Sequence, residues 1–451
     1  MFNGDQGHGG IQSRAGPQAA KKSRSIEISP RSCRVVIRVF LLAVLGIHAF
    51  FLWSVRGRVQ KGDPDFTVYY TAGRILREGR SAELYNARTQ QAVQREFATD
   101  SDIRQGPLPY IHPPFEALIF LPLTFLPYGE AFVLWNLLNL AMLFAIAAWL
   151  RRCLASLHQI PLWEWVLALL AFFPIFANFL QGQDAILLLL VFVLGFRALD
   201  RNAEFTAGCW FGLGVFKYHF VIPLILILAV WKGRRLVSGF AAAASAAALL
   251  SLGIVGWHGA LQYPAYAWRV VSVPGHGQTP IALMPNLLGF ATGWPYLENL
   301  GWPWRSVVLV AAAGLLIVVA RMRGLALPND RTRNLTGEQQ FFRLSFACAV
   351  ITAVLVSYLT NAHDLCLLVL PLALLADHCA ARWSERKAIS ALLIPVVPLL
   401  LSPLWIFFWM RWGKLNLAVI PLLWWIYAMR RELLRLRNNE TDNAARVTSS
   451  A

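Results

Sequence analysis

The chain has 451 residues, of which 57% are hydrophobic and 14% are charged, with a net charge of +17 at neutral pH. A soluble domain carries about 25% charged residues, so this composition excludes an ordinary soluble protein. The positive charge could indicate nucleic-acid binding, but the lysines and arginines stand in short clusters between apolar runs, which is typical of cytoplasmic loops. The composition therefore predicts an all-α, polytopic integral membrane protein with about 12 transmembrane helices.

The ends of the chain predict polar tails around one membrane domain. Residues 1–30 are rich in Gly, Ser, Gln and Lys and lack the apolar core of a signal peptide, so we expect a disordered cytoplasmic tail. A multi-pass membrane domain is expected over residues 31–435, followed by a polar cytoplasmic tail over 436–451. The first apolar run, residues 35–54, is long enough to cross a ~30 Å hydrocarbon core.

The first loop, residues 63–114, is the longest polar segment between apolar runs. It opens on Asp63-Pro64-Asp65-Phe66 directly after the first span, which places carboxylates at the edge of a low-dielectric region. Two interpretations of Asp65 are open: a reactive carboxylate, or a cap on the helix that FTVYYTAGRILREG suggests. The proline-rich run 113–127 is predicted to be an interfacial or re-entrant piece and not a span.

The middle of the chain contains an irregular apolar stretch. Helices are expected near 129–150, 162–180 and 185–199, and Gln181-Gly182-Gln183-Asp184 reads as a tight turn between the last two. Residues 206–231 have basic clusters at both ends, and a single span cannot start and finish on the same side. Two broken helices meeting near Lys217 would satisfy these charges, with Lys217 facing a protein-enclosed cavity. The alternatives are a lysine that snorkels from a simple helix and a QGQD segment that is only a turn.

The remaining apolar runs predict further helices and two outer connections. In chain order, we expect a span near 236–256, an outer loop over about 257–304 and a helix at 305–320. Spans near 342–360 and 364–380 should meet at an outer turn over 360–364. A last pair of helices is expected near 388–409 and 414–429, followed by a basic helix at 430–435.

The predicted topology brings distant polar residues to one face of the membrane. These are Asp63, Asp65, Tyr70, Tyr110, His112, Gln181, Gln183, Asp184, Lys217, His219, Asn286, His363 and Asp364. Ionisable groups at membrane depth are costly and usually line functional cavities, although single histidines are often packing residues. In such a cavity Asp65 could deprotonate an acceptor hydroxyl, while Lys217 and a histidine could stabilise charge on a leaving phosphate.

Four stretches resemble glycosyltransferase family 87. They are DFTVYYTAGRILREGRSAELYN, YIHPPFEALIFLPLTFLPYGEAFVLWNLLN, QGQDAILLLLV and AGCWFGLGVFKYHFVIPLILIL. Each motif is weak alone, but their order is kept over most of residues 60–380. The resemblance implies an integral-membrane enzyme of the C-type glycosyltransferase fold that uses polyprenyl-phosphate sugars.

The resemblance also implies roles for individual residues. Asp65 takes the position of the catalytic aspartate of the first loop, and Lys217 that of the intramembrane lysine near the donor phosphate. His363 falls where the family often has a histidine before a late helix. Further candidate substrate contacts are Tyr110, Gln181, Gln183 and His219. The chain departs from the family where Tyr218-His219 follows the lysine in place of a common proline, and where His363 stands without a second histidine.

The function that the resemblance implies is transfer of a hexose, with mannose expected, from polyprenyl phosphate to a hydroxyl of a lipid-linked or envelope glycan, with inversion at the anomeric carbon. The active site is expected on the periplasmic face of the inner membrane. No cofactor is expected: the sequence has no nucleotide-binding motif, and its six cysteines form no C-x-x-C pair. A metal is possible but not required, because cationic side chains can do the same electrostatic work. Nucleic acid is not an expected partner, whereas membrane lipids are.

Two alternatives belong to other classes of protein. A lipid-linked glycan flippase predicts a polar central path and repeat symmetry. A non-catalytic membrane scaffold predicts that Asp65 and Lys217 are freely replaceable.

Overall fold

The computed structural model describes residues 30–98, 108–272, 280–294, 302–322 and 335–449. The chain divides into two units, residues 1–40 and 41–451, and the described part of the first unit is the beginning of helix α1. The predicted tail over residues 1–30 therefore lies, apart from Pro30, outside the described residues. Residues 436–449 continue the last helix.

The described residues form helices and contain no β-strand, as the composition predicts. The α-helices are α1 (Pro30–Gln60), α2 (Phe66–Arg77), α3 (Ala87–Arg95), α4 (Pro114–Phe120), α5 (Tyr128–Cys153), α6 (Leu162–Leu170), α7 (Phe173–Gln181), α8 (Ala185–Asp200), α9 (Glu204–Leu213), α10 (Tyr218–Lys232), α11 (Arg234–Ser272), α12 (Leu287–Thr292), α13 (Trp302–Ala320), α14 (Leu335–Val356), α15 (Val369–Ala381), α16 (Arg386–Leu393), α17 (Val397–Leu400), α18 (Ser402–Phe407) and α19 (Val419–Ser449).

Six helical stretches in the described residues are long and apolar enough to cross a membrane, and a bent pair would make seven. The six are Arg34–Gln60, Tyr128–Cys153, Glu204–Lys232, Arg234–Val270, Gly337–Val356 and His363–Ala381. This is fewer than the dozen apolar runs in the sequence, because several runs form shorter or broken helices. The run at Pro114–Phe125 is one of the short ones, as predicted for an interfacial piece.

Several predicted helix boundaries were wrong. The run 162–180 forms two helices, α6 and α7, bent by 71° at a break before Phe173, and Pro174 stands in the first turn of α7, where proline is tolerated. The run 388–409 is divided into α16, α17 and α18, with a proline in the first turn of the last two. The outer loop expected from residue 257 begins with a helical segment that reaches Ser272, and the non-helical Gly256 (φ 68°, ψ 177°) separates this segment from the preceding part of α11.

Two packed regions hold the site. Helices α9 and α11 approach closely through Gly208 and Gly212, spaced one turn apart, and Gly239. A Cβ atom on Gly208 would overlap the Leu236 carbonyl oxygen, and one on Gly239 would overlap that of Phe205.

The second packed region is an aromatic cluster around helix α2. The Phe66 ring centroid lies 5.7 Å from those of Tyr128 and Phe132, and the Tyr69 ring stacks on Phe120 at 4.5 Å. These contacts hold the first loop against α4 and α5, so that residue 65, at the start of α2, has a defined position.

Candidate active site

A cavity of about 800 Å³ lies where the first loop, the turn after α7, the break between α9 and α10, helix α11 and the turn before α15 meet. Its polar and aromatic lining consists of Asp65, Tyr69, His112, Gln183, Phe216, Lys217, Tyr218, His219, Tyr263, Trp268, Arg305, Tyr358, Asn361, His363 and Asp364. Polar residues that the sequence places far apart therefore do share one site.

Asp65 occupies one wall of the cavity. It precedes α2 but its side chain makes no capping hydrogen bond, so the interpretation of Asp65 as a helix cap was wrong. Its Oδ2 accepts a hydrogen bond of 2.8 Å from Gln183 Nε2, and its backbone N–H donates to Gln181 Oε1 at 3.2 Å. The Tyr69 hydroxyl donates to Gln183 Oε1 at 2.6 Å. Because burial raises the pKa of Tyr69 well above its usual value, Tyr69 stays a donor and fixes the amide orientation.

The segment Gln181–Asp184 is a tight turn, as predicted, and it also supplies site residues. Helix α7 ends at Gly182 in the left-handed region (φ 61°), and a Cβ there would come within 2.8 Å of Phe66 and Phe132. Glycine thus permits both the backbone conformation and the close contact. The turn places Gln183 against Asp65 and Asp184 against Lys217, so it is more than a connection between helices.

Lys217 lies at the break that the sequence predicts. A 3-10 turn, Gly214–Lys217, separates α9 from α10, although the stretch Glu204–Lys232 as a whole is long enough for one span. Lys217 is 3% exposed, and its Nζ lies 2.7 Å from Asp184 Oδ1 and 2.6 Å from Asp364 Oδ1. The snorkelling interpretation was therefore wrong, because the ammonium is buried in two ion pairs.

Asp184 is ionised although it is fully buried. Burial alone would raise the pKa of Asp184, but the Lys217 ammonium and His112 outweigh it and hold the pKa below its usual range. Asp184 also stands directly before α8, where the amino end of a helix favours negative charge.

A second cluster joins His112, Glu116 and Asp184. His112 Nδ1 lies 2.8 Å from Glu116 Oε2 and 3.8 Å from Asp184 Oδ2. Burial raises the pKa of Glu116 to about 8. For His112, burial alone would lower the pKa, but the Glu116 carboxylate outweighs burial and raises it. These three side chains have the donor types and spacing of a metal site.

The turn before α15 supplies His363 and Asp364 to the cavity lining. His363 and Asp364 are buried, and Asp364 Oδ2 accepts a hydrogen bond of 2.7 Å from the Asn361 backbone N–H. His363 Nε2 lies 3.6 Å from Asp364 Oδ1. His219 Nδ1 is 2.8 Å from Ser357 Oγ. Both histidines line the cavity, as the sequence predicts for a shared face.

Two predicted substrate contacts lie behind the cavity wall. Tyr110 is fully buried, and its hydroxyl donates to the Pro113 carbonyl oxygen at 2.9 Å, so it supports the loop that carries His112. Gln181 contacts the backbone of Asp65 and is not part of the cavity lining. Asp63, also on the candidate face, forms an ion pair with Arg58 (Oδ2 to Nε, 3.3 Å).

Sequence reasoning missed Glu116 and Tyr69 as parts of the site. Glu116 follows His112 by four residues, but His112 lies in the loop before α4, so helical spacing does not predict their contact. Tyr69 follows Asp65 by four residues at the start of α2, and an i,i+4 spacing on one helix face is the signal that would have found it.

Apolar helices long enough to cross a membrane, together with a cavity lined by carboxylates, a lysine and histidines, are typical of an integral-membrane protein with a polar binding site. The model of glycosyltransferase family 87 matches residues 110–358, more than half of the chain, and the chain belongs to this family. It is therefore a membrane glycosyltransferase with a sugar donor and an acceptor, which favours the enzyme over the flippase and scaffold alternatives. No curated protein and no solved structure matches the chain. The matched range includes His112, Glu116, Asp184 and Lys217.

Proposed function

We propose that the protein transfers a hexose, with mannose as the expected sugar, from polyprenyl phosphate to a hydroxyl of a lipid-linked or envelope glycan. The observation that carries this proposal is that the Asp65 carboxylate lines the same cavity as Lys217 and His363. A base and a cationic phosphate site must both face the reacting sugar in a direct displacement.

The reaction is a single displacement at the anomeric carbon. Asp65 accepts the proton of the acceptor hydroxyl, and the hydroxyl oxygen forms the new bond to the anomeric carbon. The bond from that carbon to the phosphate oxygen breaks, and its electron pair leaves with polyprenyl phosphate. Attack opposite the leaving group converts a β-linked donor sugar to an α-linked product.

The leaving phosphate gains charge, and the cavity lining offers it hydrogen-bond donors. Lys217, His363 and Arg305 all line the cavity. Aromatic side chains in the lining, Tyr263 and Trp268 among them, suit the apolar faces of sugar rings. The sequence has no nucleotide-binding motif, in agreement with a lipid-carried donor.

We place the active site on the periplasmic face of the inner membrane. Helices α8, α10 and α15 begin beside cavity residues and end at or next to basic residues: Arg201, Lys232 and Arg382. Cytoplasmic helix ends carry an excess of such residues, which puts the cavity on the opposite side.

The test is labelling of Ala82→Cys and Arg201→Cys with an impermeant maleimide in spheroplasts, relative to the parent chain. Labelling of Ala82→Cys only is expected, and labelling of Arg201→Cys only would reverse the orientation.

The reaction is tested by reconstituting the purified chain in liposomes with native lipid acceptors. Labelled polyprenyl-phosphate mannose, polyprenyl-phosphate glucose and GDP-mannose are compared as donors. Transfer from polyprenyl-phosphate mannose into an α-linked product is the expected result. Transfer from GDP-mannose alone would contradict the lipid-carried donor, and transfer from polyprenyl-phosphate glucose alone would contradict mannose.

A further inference from the structure

The cluster of His112, Glu116 and Asp184 places two buried carboxyl groups next to the ion pairs of Lys217. Lys217 contacts both Asp184 and Asp364, so its one positive charge balances only one of these two carboxylates. Glu116 lies beside them and is 0% exposed. A phosphate entering the cavity would meet this negative charge, which is the opposite of what an anionic substrate requires.

Among the described residues, the Glu116 carboxyl group receives no hydrogen bond of good geometry, although His112 Nδ1 lies 2.8 Å from its Oε2. His112 Nδ1 likewise makes no hydrogen bond of good geometry with the described residues. His112 Nδ1 and Glu116 Oε2 are thus 2.8 Å apart without the alignment of a hydrogen bond, a spacing that two ligands of one ion also have. A buried carboxylate without a partner must either carry a proton or contact a cation.

The three side chains converge with the spacing of metal ligands. One donor atom from each lies within 4.8 Å of the others. Asp184 contacts the Lys217 ammonium through Oδ1, and its other oxygen, Oδ2, is the one that lies near His112 Nδ1. Donor atoms that share a cation at about 2.1 Å stand about 3 Å apart when adjacent, so small side-chain movements suffice.

We propose that His112 Nδ1, Glu116 and Asp184 Oδ2 bind one divalent cation at the wall of the cavity. One imidazole and two carboxylates suit Mn²⁺, which accepts mixed nitrogen and oxygen ligands. His112 lines the cavity, so the cation is reached from it and keeps positions open for other oxygens. Its role in the reaction, which rests on the proposed function, is to offset the carboxylates and attract the donor phosphate.

The test measures Mn²⁺ binding in the absence of any substrate. The full chain in lipid nanodiscs is treated with chelator, desalted and titrated with Mn²⁺, and free Mn²⁺ is followed by electron paramagnetic resonance. One Mn²⁺ per chain is expected, with binding at least about tenfold weaker in Glu116→Gln. Glu130→Gln removes an exposed carboxylate in the first turn of α5 and should bind as the wild type does.

Thermal unfolding separates a lost ligand from a lost fold. Mn²⁺ should raise the unfolding midpoint of the wild type and of Glu130→Gln, but not that of Glu116→Gln. No saturable binding by the wild type, or equal binding by Glu116→Gln, would overturn the proposal and leave a protonated Glu116. Full glycosyl transfer in excess chelator would also overturn the cation proposal, while leaving the proposed function intact. Conversely, absence of glycosyl transfer would count against the proposed function and would not change the measured Mn²⁺ binding.

Discussion

The ammonium of Lys217 donates to Asp364 Oδ1 at 2.6 Å, although 147 positions separate the two residues. Lys217 stands at the break between α9 and α10, and Asp364 stands in the turn before α15. Since both are buried, this ion pair joins two irregular segments at the depth of the cavity. The same ammonium contacts Asp184, so three parts of the chain depend on one side chain.

Lys217→Met is expected to lower stability strongly. It leaves Asp184 and Asp364 buried without their cation, which costs about 3–5 kcal/mol. Asp364→Asn should cost less, because Lys217 keeps Asp184. Chemical unfolding in detergent measures both. The control, Lys232→Met at the end of α10, removes a cation over the Phe342 ring and should cost about 0.5–1 kcal/mol. Equal losses for Lys217→Met and Lys232→Met would show that the buried ion pairs do not stabilise the fold.

Gln183 is expected to act by positioning Asp65. Gln183→Leu removes the hydrogen bond to Asp65 Oδ2 and should lower kcat by about tenfold to a hundredfold with little change in KM for the donor. Tyr69→Phe only frees the Gln183 amide to rotate, so its effect should have the same sign and be smaller. Steady-state kinetics with both substrates measures this.

The control for Tyr69→Phe is Tyr70→Phe. The Tyr70 hydroxyl donates to the Leu126 carbonyl oxygen, and Tyr70 is not part of the cavity lining. The kcat of Tyr70→Phe should match that of the wild type. A rise in KM with unchanged kcat in Gln183→Leu would instead indicate that Gln183 binds substrate directly.

Gly208→Ala is expected to destabilise the contact between α9 and α11. The added methyl would overlap the Leu236 carbonyl oxygen, and such overpacking costs about 1–3 kcal/mol. Gly253→Ala in α11 is the matched control, since a Cβ there has no atom within 4 Å. Alanine is about 1 kcal/mol better than glycine in a helix, so this control should keep or raise the unfolding midpoint. A midpoint that is lowered equally in both variants would contradict the close packing.

Much of the fold could be predicted, because the length of an apolar run indicates a helix and the basic clusters between runs indicate where the helix ends. The boundaries of α5 and α8 agree with the predicted runs within a few residues. The break at Lys217 was also predicted, since basic clusters at both ends of one apolar stretch conflict with a simple span. The division of the run 388–409 into short helices was not predicted. A proline in an apolar run either kinks a helix or ends it, and tertiary packing decides which of the two occurs.

The candidate site could be predicted only in part. Asp65 directly before a helix fits both a cap and a reactive carboxylate, and only the structure shows that its side chain contacts Gln183 and makes no capping hydrogen bond. Glu116 meets Asp184 through folding of distant segments, and no local pattern records that contact. Tyr110 has the residue type of a substrate contact, but its burial makes it a support.

The most direct test of the account is glycosyl transfer by Asp65→Asn beside Asp63→Asn. Both changes remove one carboxylate from the same loop, but only Asp65 lines the cavity, whereas Asp63 forms an ion pair with Arg58. Transfer from polyprenyl-phosphate mannose to native lipid acceptors should fall by at least about a hundredfold in Asp65→Asn and stay near wild type in Asp63→Asn, at equal protein levels. Equal transfer by the wild type and Asp65→Asn would remove Asp65 from the reaction and contradict the assignment of this cavity's base.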